Sequence, residues 1–262
     1  MNIIVCIKQV PASTQVKLNP VTNTLIRDGI QSTMNAYDKH ALEAALDLRD
    51  RYGGKVIALT MGPPQADEIL KTAIGMTVDE AYLVSGREFA GSDTLATSYT
   101  LAKAVEKIGK ADLILCGKQA VDGDTAQVGP GIAQWLNIPL VSCVSKIEKI
   151  EGNKIIVHRH MDDGTDVVSA FLPALLTTVK ELNEPRIESV RGRIKAKNYE
   201  PQVLNAESMS CDPESLGLKG SPTFVSKVFV PQRSGNKELI EGAPQEQAAQ
   251  IVEKLKSAQL VI

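Results

Sequence analysis

The feature that most constrains this chain is the alternation of short, unbroken apolar runs with segments of helical periodicity. The apolar runs have the length of strands buried on both faces, and they cover residues 2–7, 55–60, 80–84 and 112–116. The helix-like segments follow them at residues 38–52, from 64 onwards, at 92–108 and at 127–137. Right-handed crossovers join such units into a mostly parallel sheet. The sequence therefore predicts an α/β fold with helices on both faces of the sheet.

The pattern changes after the last of these helices. Residues 141–161 predict an antiparallel hairpin, and residues 166–179 predict one further strand. Residues 183–235 have little apolar periodicity and are rich in Pro, Gly, Lys and Arg, so we expect them to gain their order from another chain. This divides the protein into an α/β domain over residues 1–182, hairpin included, and an extended arm over residues 183–262.

Composition excludes several classes of function. With 43% apolar residues in 262 the chain can bury a core, and its net charge of −2 and 4% aromatic content argue against nucleic acid as a partner. The four cysteines form no CxxC pair and no zinc spacing, which predicts reduced thiols in a cytoplasmic protein without a metal site. No apolar run approaches the roughly 18 residues of a membrane helix, so membrane insertion is not expected.

Two loops are expected to meet at one edge of the sheet. In open parallel sheets, ligands bind beyond the carboxyl ends of the strands, where the strand order reverses. If the first and fourth strands are central neighbours, the loops that follow Cys6 and Cys116 line one crevice.

The second of these loops has the chemistry of a phosphate cradle. Gly117 and Gly123 permit close approach of the backbone, and Asp124 and Thr125 are expected to cap the following helix. Ala126 and Gln127 would then lie in its first turn, where free N–H groups favour an anion. The loop matches neither a P-loop nor a GxGxxG turn. A capped helix after a flexible turn explains the same residues equally well.

No side chain is predicted to be catalytic. Asp112, Asp122 and Asp124 are ordinary strand, turn and cap residues, and His158 and His160 fit a solvated strand face. No nucleophile has a base beside it in a recognisable local signature. The residues alone thus support nucleotide or dinucleotide binding.

Four segments together resemble the β subunit of electron-transfer flavoproteins. They are VCIKQVP, MNAYDKHALEAAL, GKQAVDGDTAQVGP and RHMDDGTDVVSAFLPALLTTVKELNEPR. The resemblance extends over essentially the whole chain. It implies a Rossmann-like domain that holds an adenine nucleotide, and an arm that wraps an α subunit in a heterodimer.

The resemblance also implies which residues bind the nucleotide. These are Cys6, Lys8, Asn35, Asp38, Met61, Gly62, Gly117, Gln119, Asp122, Gly123, Asp124, Thr125, Ala126, Gln127 and Val128. Structural roles compete with this interpretation, since Asn35 also fits a helix cap and Met61 fits core packing.

The identity of the nucleotide decides the function. The sequence DGDTAQVGP is similar to electron-bifurcating members, which bind FAD here, and its small residues, with Gly129, leave room for a pyrophosphate. Residues 91–98 also resemble that subgroup and predict a helix N-terminus facing the flavin or a pyridine nucleotide, or simply a capped helix. In such members NADH donates electrons, and an acyl-CoA dehydrogenase-type flavoenzyme and ferredoxin or flavodoxin accept them, so activity belongs to a larger complex. The alternatives are an electron relay with structural AMP in the crevice, and a stand-alone nucleotide-binding regulator.

Residues 182–197 match the docking loop of the family. There Val190, where the family commonly has Leu, would be the apolar anchor for the dehydrogenase. The basic residues Arg191, Arg193 and Lys195, with Arg186 and Lys197, would steer an acidic partner. A solvated basic loop is the alternative.

Overall fold

The structure is a computed structural model that describes residues 1–12, 17–18, 25–26, 32–226 and 238–260. The chain divides into two compact units, Met1–Ser226 and Lys227–Ile262. The strands are β1 Asn2–Cys6, β2 Gln9–Pro11, β3 Lys17–Leu18, β4 Leu25–Ile26, β5 Ser32–Met34, β6 Lys55–Met61, β7 Glu80–Val84, β8 Leu113–Gly117, β9 Leu140–Glu151, β10 Lys154–Met161, β11 Gly164–Phe171, β12 Ala174–Thr178 and β13 Gln202–Leu204. The helices are α1 Ala36–Tyr52, α2 Asp67–Gly75, α3 Thr94–Ile108, α4 Val128–Trp135, α5 Val190–Lys197 and, in the second unit, α6 Pro244–Ser257.

Within the described residues, the main sheet has nine strands in the order β11-β10-β9-β12-β8-β1-β6-β7-β13. Pairing is parallel from β9 through β12, β8, β1, β6 and β7 to β13, and antiparallel in the β9-β10-β11 meander. The predicted α/β fold, the mostly parallel sheet and the hairpin are confirmed. The central position of β1 beside β8 is confirmed as well.

Alternate residues of β1 are buried in two separate cores. Ile3 and Val5 belong to the core that includes residues of α1 and α2, whereas Ile4 and Cys6 belong to the core that includes residues of α3 and α4. Since successive side chains of a strand point to opposite faces, helices cover both faces of the sheet. A fully buried Ile or Leu contributes about 1.5–3 kcal/mol, so these two cores hold the central strands in place.

The prediction of one strand over residues 166–179 is wrong. The segment forms two strands, β11 on the outer edge of the meander and β12 between β8 and β9. Leu172 and Pro173 separate them, and proline has no N–H with which to continue a ladder. The chain thereby leaves the edge of the sheet and returns to its buried centre.

The expectation that residues 183–235 depend on another chain for their order is wrong for the part up to residue 226. Strand β13 adds to the sheet beside β7, and α5 packs on α2. The contact is close: a Cβ on Gly192 would overlap the carbonyl oxygen of Gly75. Arg186 attaches the start of this segment to α1 through Glu43 at 2.9 Å and Asp50 at 3.0 Å. Residues 227–237 lie outside the described residues.

Of the helices that the structure describes, none combines the length and the apolar character needed to cross a bilayer.

Candidate functional site

A cavity of about 530 Å³ opens beyond the carboxyl ends of β1, β6 and β8. Cys6 and Cys116 are register partners at the ends of β1 and β8, and both line its floor. The loops that follow these strands therefore meet, as the sequence predicts. The volume lies within the roughly 300–1,000 Å³ typical of small-molecule sites.

Most of the predicted nucleotide-binding residues line this cavity. They are Cys6, Lys8, Asn35, Asp38, Met61, Gly117, Gln119, Gly123, Asp124, Thr125, Ala126, Gln127 and Val128. Two predicted residues are not among the lining residues. Gly62 donates its backbone N–H to the carbonyl of Val84, and Asp122 accepts a hydrogen bond from Lys8 Nζ at 2.6 Å.

Asp38 connects the ends of the two central strands. Its carboxylate accepts the backbone N–H of Lys8 at 2.7 Å and that of Gly117 at 3.2 Å, and the side-chain amide of Asn35 at 3.0 Å. Burial raises the pKa of Asp38 to about 7, and these three hydrogen bonds oppose the shift. Asp38 thus shapes the floor of the cavity from beneath.

Asn35 holds the loop that follows β8. Its amide donates to the carbonyl of Gln119 at 2.8 Å, and its carbonyl oxygen accepts the N–H of Val121 at 3.2 Å. Asn35 occupies the N-cap position of α1, but its side chain makes no capping hydrogen bond there. Its side-chain oxygen and nitrogen both bond the loop, and the nitrogen also donates to Asp38, so Asn35 positions the cradle.

The expectation that Asp124 and Thr125 cap α4 is wrong. The helix begins at Val128, and Gln127 is its N-cap residue without a side-chain cap, so Ala126 precedes the helix. Asp124 and Ala126 have left-handed backbones, with φ of 48° and 56°. With these two left-handed residues, the chain turns before α4 begins. The side chains of Asp124 and Thr125 therefore do not cap the N–H groups in the first turn of the helix. Those N–H groups are left for another partner.

The N-terminus of α4 therefore suits an anion. Its first turn contains no acidic residue, and Val128 and Gly129 line the cavity beside it. The ammonium of Lys8 lies at the cradle, where Nζ would be 3.9 Å from a Cβ built on Gly123. Lys118 also lines the cavity. The start of α4 and two lysines therefore line the same cavity.

The N-terminus of α3 is closed by its own cap. Asp93 accepts the N–H groups of Leu95 and Ala96, and its other oxygen accepts the hydroxyl of Thr223 at 2.8 Å. Burial acts to raise the pKa of Asp93, but hydrogen bonds from Thr223, Ala96 and Leu95 outweigh it and lower the pKa. The capped helix expected for residues 91–98 is confirmed, and the start of this helix also lines the cavity through Asp93 and Thr94.

Sequence reasoning missed one wall of the cavity. Thr223 and Val225 line it together with Phe89, although Thr223 is 130 residues from its partner Asp93. No local pattern signals a contact of that range. The segment lies across the start of α3, and the hydroxyl of Thr94 meets that of Thr125 at 3.2 Å, which connects this wall to the cradle.

Gly129 has a packing role. A Cβ at this position would stand 2.8 Å from Thr177 Cγ2, so the glycine brings α4 close to β12. Its small size serves the fold beside the site. Gly123, by contrast, has open space around it.

The described residues contain no group of three His, Cys, Asp or Glu side chains able to hold a metal. His158 pairs with Glu148 at 3.0 Å, and of its two neighbours Val157 is buried in the core whereas Arg159 is half-buried.

The predicted docking residues lie on α5, away from the cavity. Val190 and Ile194 are 77% and 64% exposed, and Ser189 caps the helix by accepting the N–H of Gly192. Arg193 pairs with Glu188 at 3.0 Å. Arg186, a predicted steering residue, is instead held by Glu43 and Asp50.

A family model described as the electron transfer flavoprotein domain matches residues 22–209. Among similar proteins, the electron transfer flavoprotein subunit beta of Thermoanaerobacterium thermosaccharolyticum is 47% identical over the full length of both chains. The caffeyl-CoA reductase-Etf complex subunit CarD of Acetobacterium woodii is 49% identical, again over both full lengths. The protein FixA of Azorhizobium caulinodans is 46% identical over 90% of this chain and 87% of its own.

Proposed function

This chain belongs to the electron transfer flavoprotein family, as a β subunit that acts with an α subunit, and we propose that the pair bifurcates electrons. NADH would be the donor. The acceptors would be an acyl-CoA dehydrogenase-type flavoenzyme on one branch and ferredoxin or flavodoxin on the other. The β subunit would contribute a second FAD, held in the cavity beyond β1 and β8.

The observation that carries this proposal is the extent of the cavity. It runs from the floor at Cys6 and Cys116, along the cradle after β8, to the wall formed by Thr94 and Thr223. An adenosine monophosphate needs only the part near the strand ends and one phosphate subsite. The further space supports a dinucleotide such as FAD, which when bound supplies hydride and one-electron chemistry.

The chain's own residues divide the work of binding. The N–H groups at the start of α4 and the ammonium of Lys8 would hold the pyrophosphate, because the start of α3 already carries the carboxylate of Asp93. Asp38 and Asn35 keep the floor and the cradle in place. Gly123 leaves the cradle open on the ligand side.

The proposed acyl-CoA dehydrogenase-type partner is supported by the exposed residues of α5 and by the name of one similar protein, CarD. CarD is by its name a subunit of a caffeyl-CoA reductase-Etf complex, which supports an acyl-CoA partner for this chain. We propose that the exposed Val190 is the apolar anchor, with Arg191, Arg193 and Lys195 around it. Residues 183–262 would thus serve partners, first as the docking loop and then as the arm around the α subunit.

Coupling between the two acceptors tests the proposed function. The purified heterodimer is mixed with NADH, the flavoenzyme partner and ferredoxin, with each acceptor also omitted in turn. Bifurcation predicts that NADH oxidation requires both acceptors and reduces them in equal electron amounts. Full-rate reduction of the flavoenzyme partner without ferredoxin would instead identify an electron relay with AMP in the cavity.

A further inference from the structure

Two thiols stand side by side at the floor of the cavity. Cys6 and Cys116 are register partners on the neighbouring parallel strands β1 and β8. Both belong to the same core, so their side chains are on the same face of the sheet. Neighbouring strands are about 4.8 Å apart, which lies within the Cα separation of about 4.4–6.8 Å found in disulfides.

The thiol of Cys6 is close enough to affect the ionisation of Cys116. A hydrogen bond with the thiol of Cys6, followed by burial, raises the pKa of Cys116 well above its ordinary value. Both cysteines are free thiols and nearly buried, at 8% and 6% exposure. Their remaining exposure is toward the cavity that they line, so a small molecule that enters the cavity reaches both.

We propose that Cys6 and Cys116 form a dithiol modification site, which a peroxide converts into an intrachain disulfide. The peroxide oxidises one thiol to a sulfenic acid and leaves as water. The sulfur of the second thiol then displaces the hydroxyl group, which forms the S–S bond and releases a second water. The two electrons and two hydrogens lost by the thiols are those that reduce hydrogen peroxide to two waters.

The other two cysteines lack this arrangement. Cys143 lies in β9 and Cys211 follows β13, and neither lines the cavity. Burial raises the pKa of Cys211, as it does that of Cys116, but no second thiol is among the groups that affect Cys211. Cys211 therefore provides a matched control.

Peptide mapping of the peroxide-treated heterodimer, stripped of nucleotide, tests the proposal. Trypsin releases Cys6 in residues 1–8 and Cys116 in residues 111–118. We expect these two peptides to be joined, and the free thiols of this chain to fall from four to two. Both peptides recovered separately, as thiols or as sulfinic acids, would overturn the proposal.

Variants separate a specific crosslink from general oxidation. Cys116→Ala is expected to abolish the linked peptide, whereas Cys211→Ala is expected to retain it in full. If Cys116→Ala still forms a linked peptide, now between other cysteines and at the wild-type yield, then Cys6 and Cys116 are not a dedicated pair. Should Cys116→Ala fail to fold, the wild-type map and Cys211→Ala still decide the question.

The same mapping is repeated on a heterodimer loaded with nucleotide, and this comparison rests on the proposed function. A ligand on the floor of the cavity covers both sulfurs, so the linked peptide should form at least several-fold more slowly with FAD bound. Equal rates in the loaded and stripped samples would contradict that placement of the nucleotide. The dithiol itself would still be established by the linked peptide.

Discussion

Asp38 accepts a hydrogen bond from the backbone N–H of Lys8 at 2.7 Å, and this contact fixes the point at which β1 ends and the cavity begins. The same carboxylate accepts the N–H of Gly117 at the end of β8. One buried side chain of α1 thus joins the two central strands at the edge where the site lies.

Asp38 gives the protein a distinctive pH dependence. Burial raises its pKa from about 3.8 to about 7, so between these values the folded protein binds more protons at this group than the unfolded chain. Its contribution to the free energy of unfolding therefore falls as pH rises through that window and levels off above about pH 7. Three pKa units correspond to about 4 kcal/mol at most.

Asp38→Asn keeps the shape of the side chain and removes this titration. The melting temperature of the heterodimer is measured for both proteins at about pH 5 and about pH 8. We expect the difference, wild type minus Asp38→Asn, to decrease at the higher pH. A difference that is constant or increases would show that Asp38 does not titrate in this window.

Gly117 and Gly123 should respond differently to enlargement. A Cβ on Gly117 would overlap Asp38 Oδ1 and stand 2.7 Å from Tyr37 Cβ, so Gly117→Ala is expected to cost about 1–3 kcal/mol. Around Gly123 the nearest atom is Lys8 Nζ at 3.9 Å. Gly123→Val should preserve the melting temperature of the nucleotide-free heterodimer and lower the nucleotide content, because its side chain enters the cavity. An equal decrease of the melting temperature in Gly117→Ala and Gly123→Val would contradict the different roles of the two glycines.

Lys8 and Asp122 form an ion pair, and substituting each residue in turn distinguishes an effect on folding stability from an effect on nucleotide binding. The side chains are 48% and 32% exposed, so breaking the pair costs at most about 1 kcal/mol. Lys8→Gln and Asp122→Asn should both leave the melting temperature of the nucleotide-free heterodimer nearly unchanged. Only Lys8→Gln should weaken nucleotide retention during dialysis, since it removes the cation facing the anion. Parallel losses in the two variants would mean that Lys8 does not contact the phosphates.

Val190 tests the docking surface. It is 77% exposed, so Val190→Asp should leave folding and flavin content unchanged. The expected effect is a slower transfer of electrons to the acyl-CoA dehydrogenase-type partner, measured as the coupled rate at limiting partner concentration. An unchanged coupled rate would exclude α5 as the docking element.

Much of the fold could be predicted because the central strands are buried on both faces. Runs such as residues 3–7 are apolar without interruption, and this property favours a place in the centre of a parallel sheet. The meeting of the loops after β1 and β8 follows from that topology. Thirteen of the predicted binding residues line the resulting cavity for the same reason.

What could not be predicted depends on long-range contacts or on backbone geometry. Thr223 reaches Asp93 across 130 residues, and α5 packs closely on α2 because Gly192 has no side chain to overlap the carbonyl oxygen of Gly75. The left-handed backbones at Asp124 and Ala126 delay the start of α4, although the local sequence favours an earlier cap. Short elements such as β13, with three residues, carry too little periodicity to be recognised.

The central claim is that the cavity beyond β1 and β8 holds a second FAD. The most direct test is to release and quantify the nucleotides of the native heterodimer per αβ pair by chromatography and mass spectrometry. The account predicts two FAD per pair in the wild type and one in Gly123→Val. One FAD together with one AMP in the wild type would contradict it.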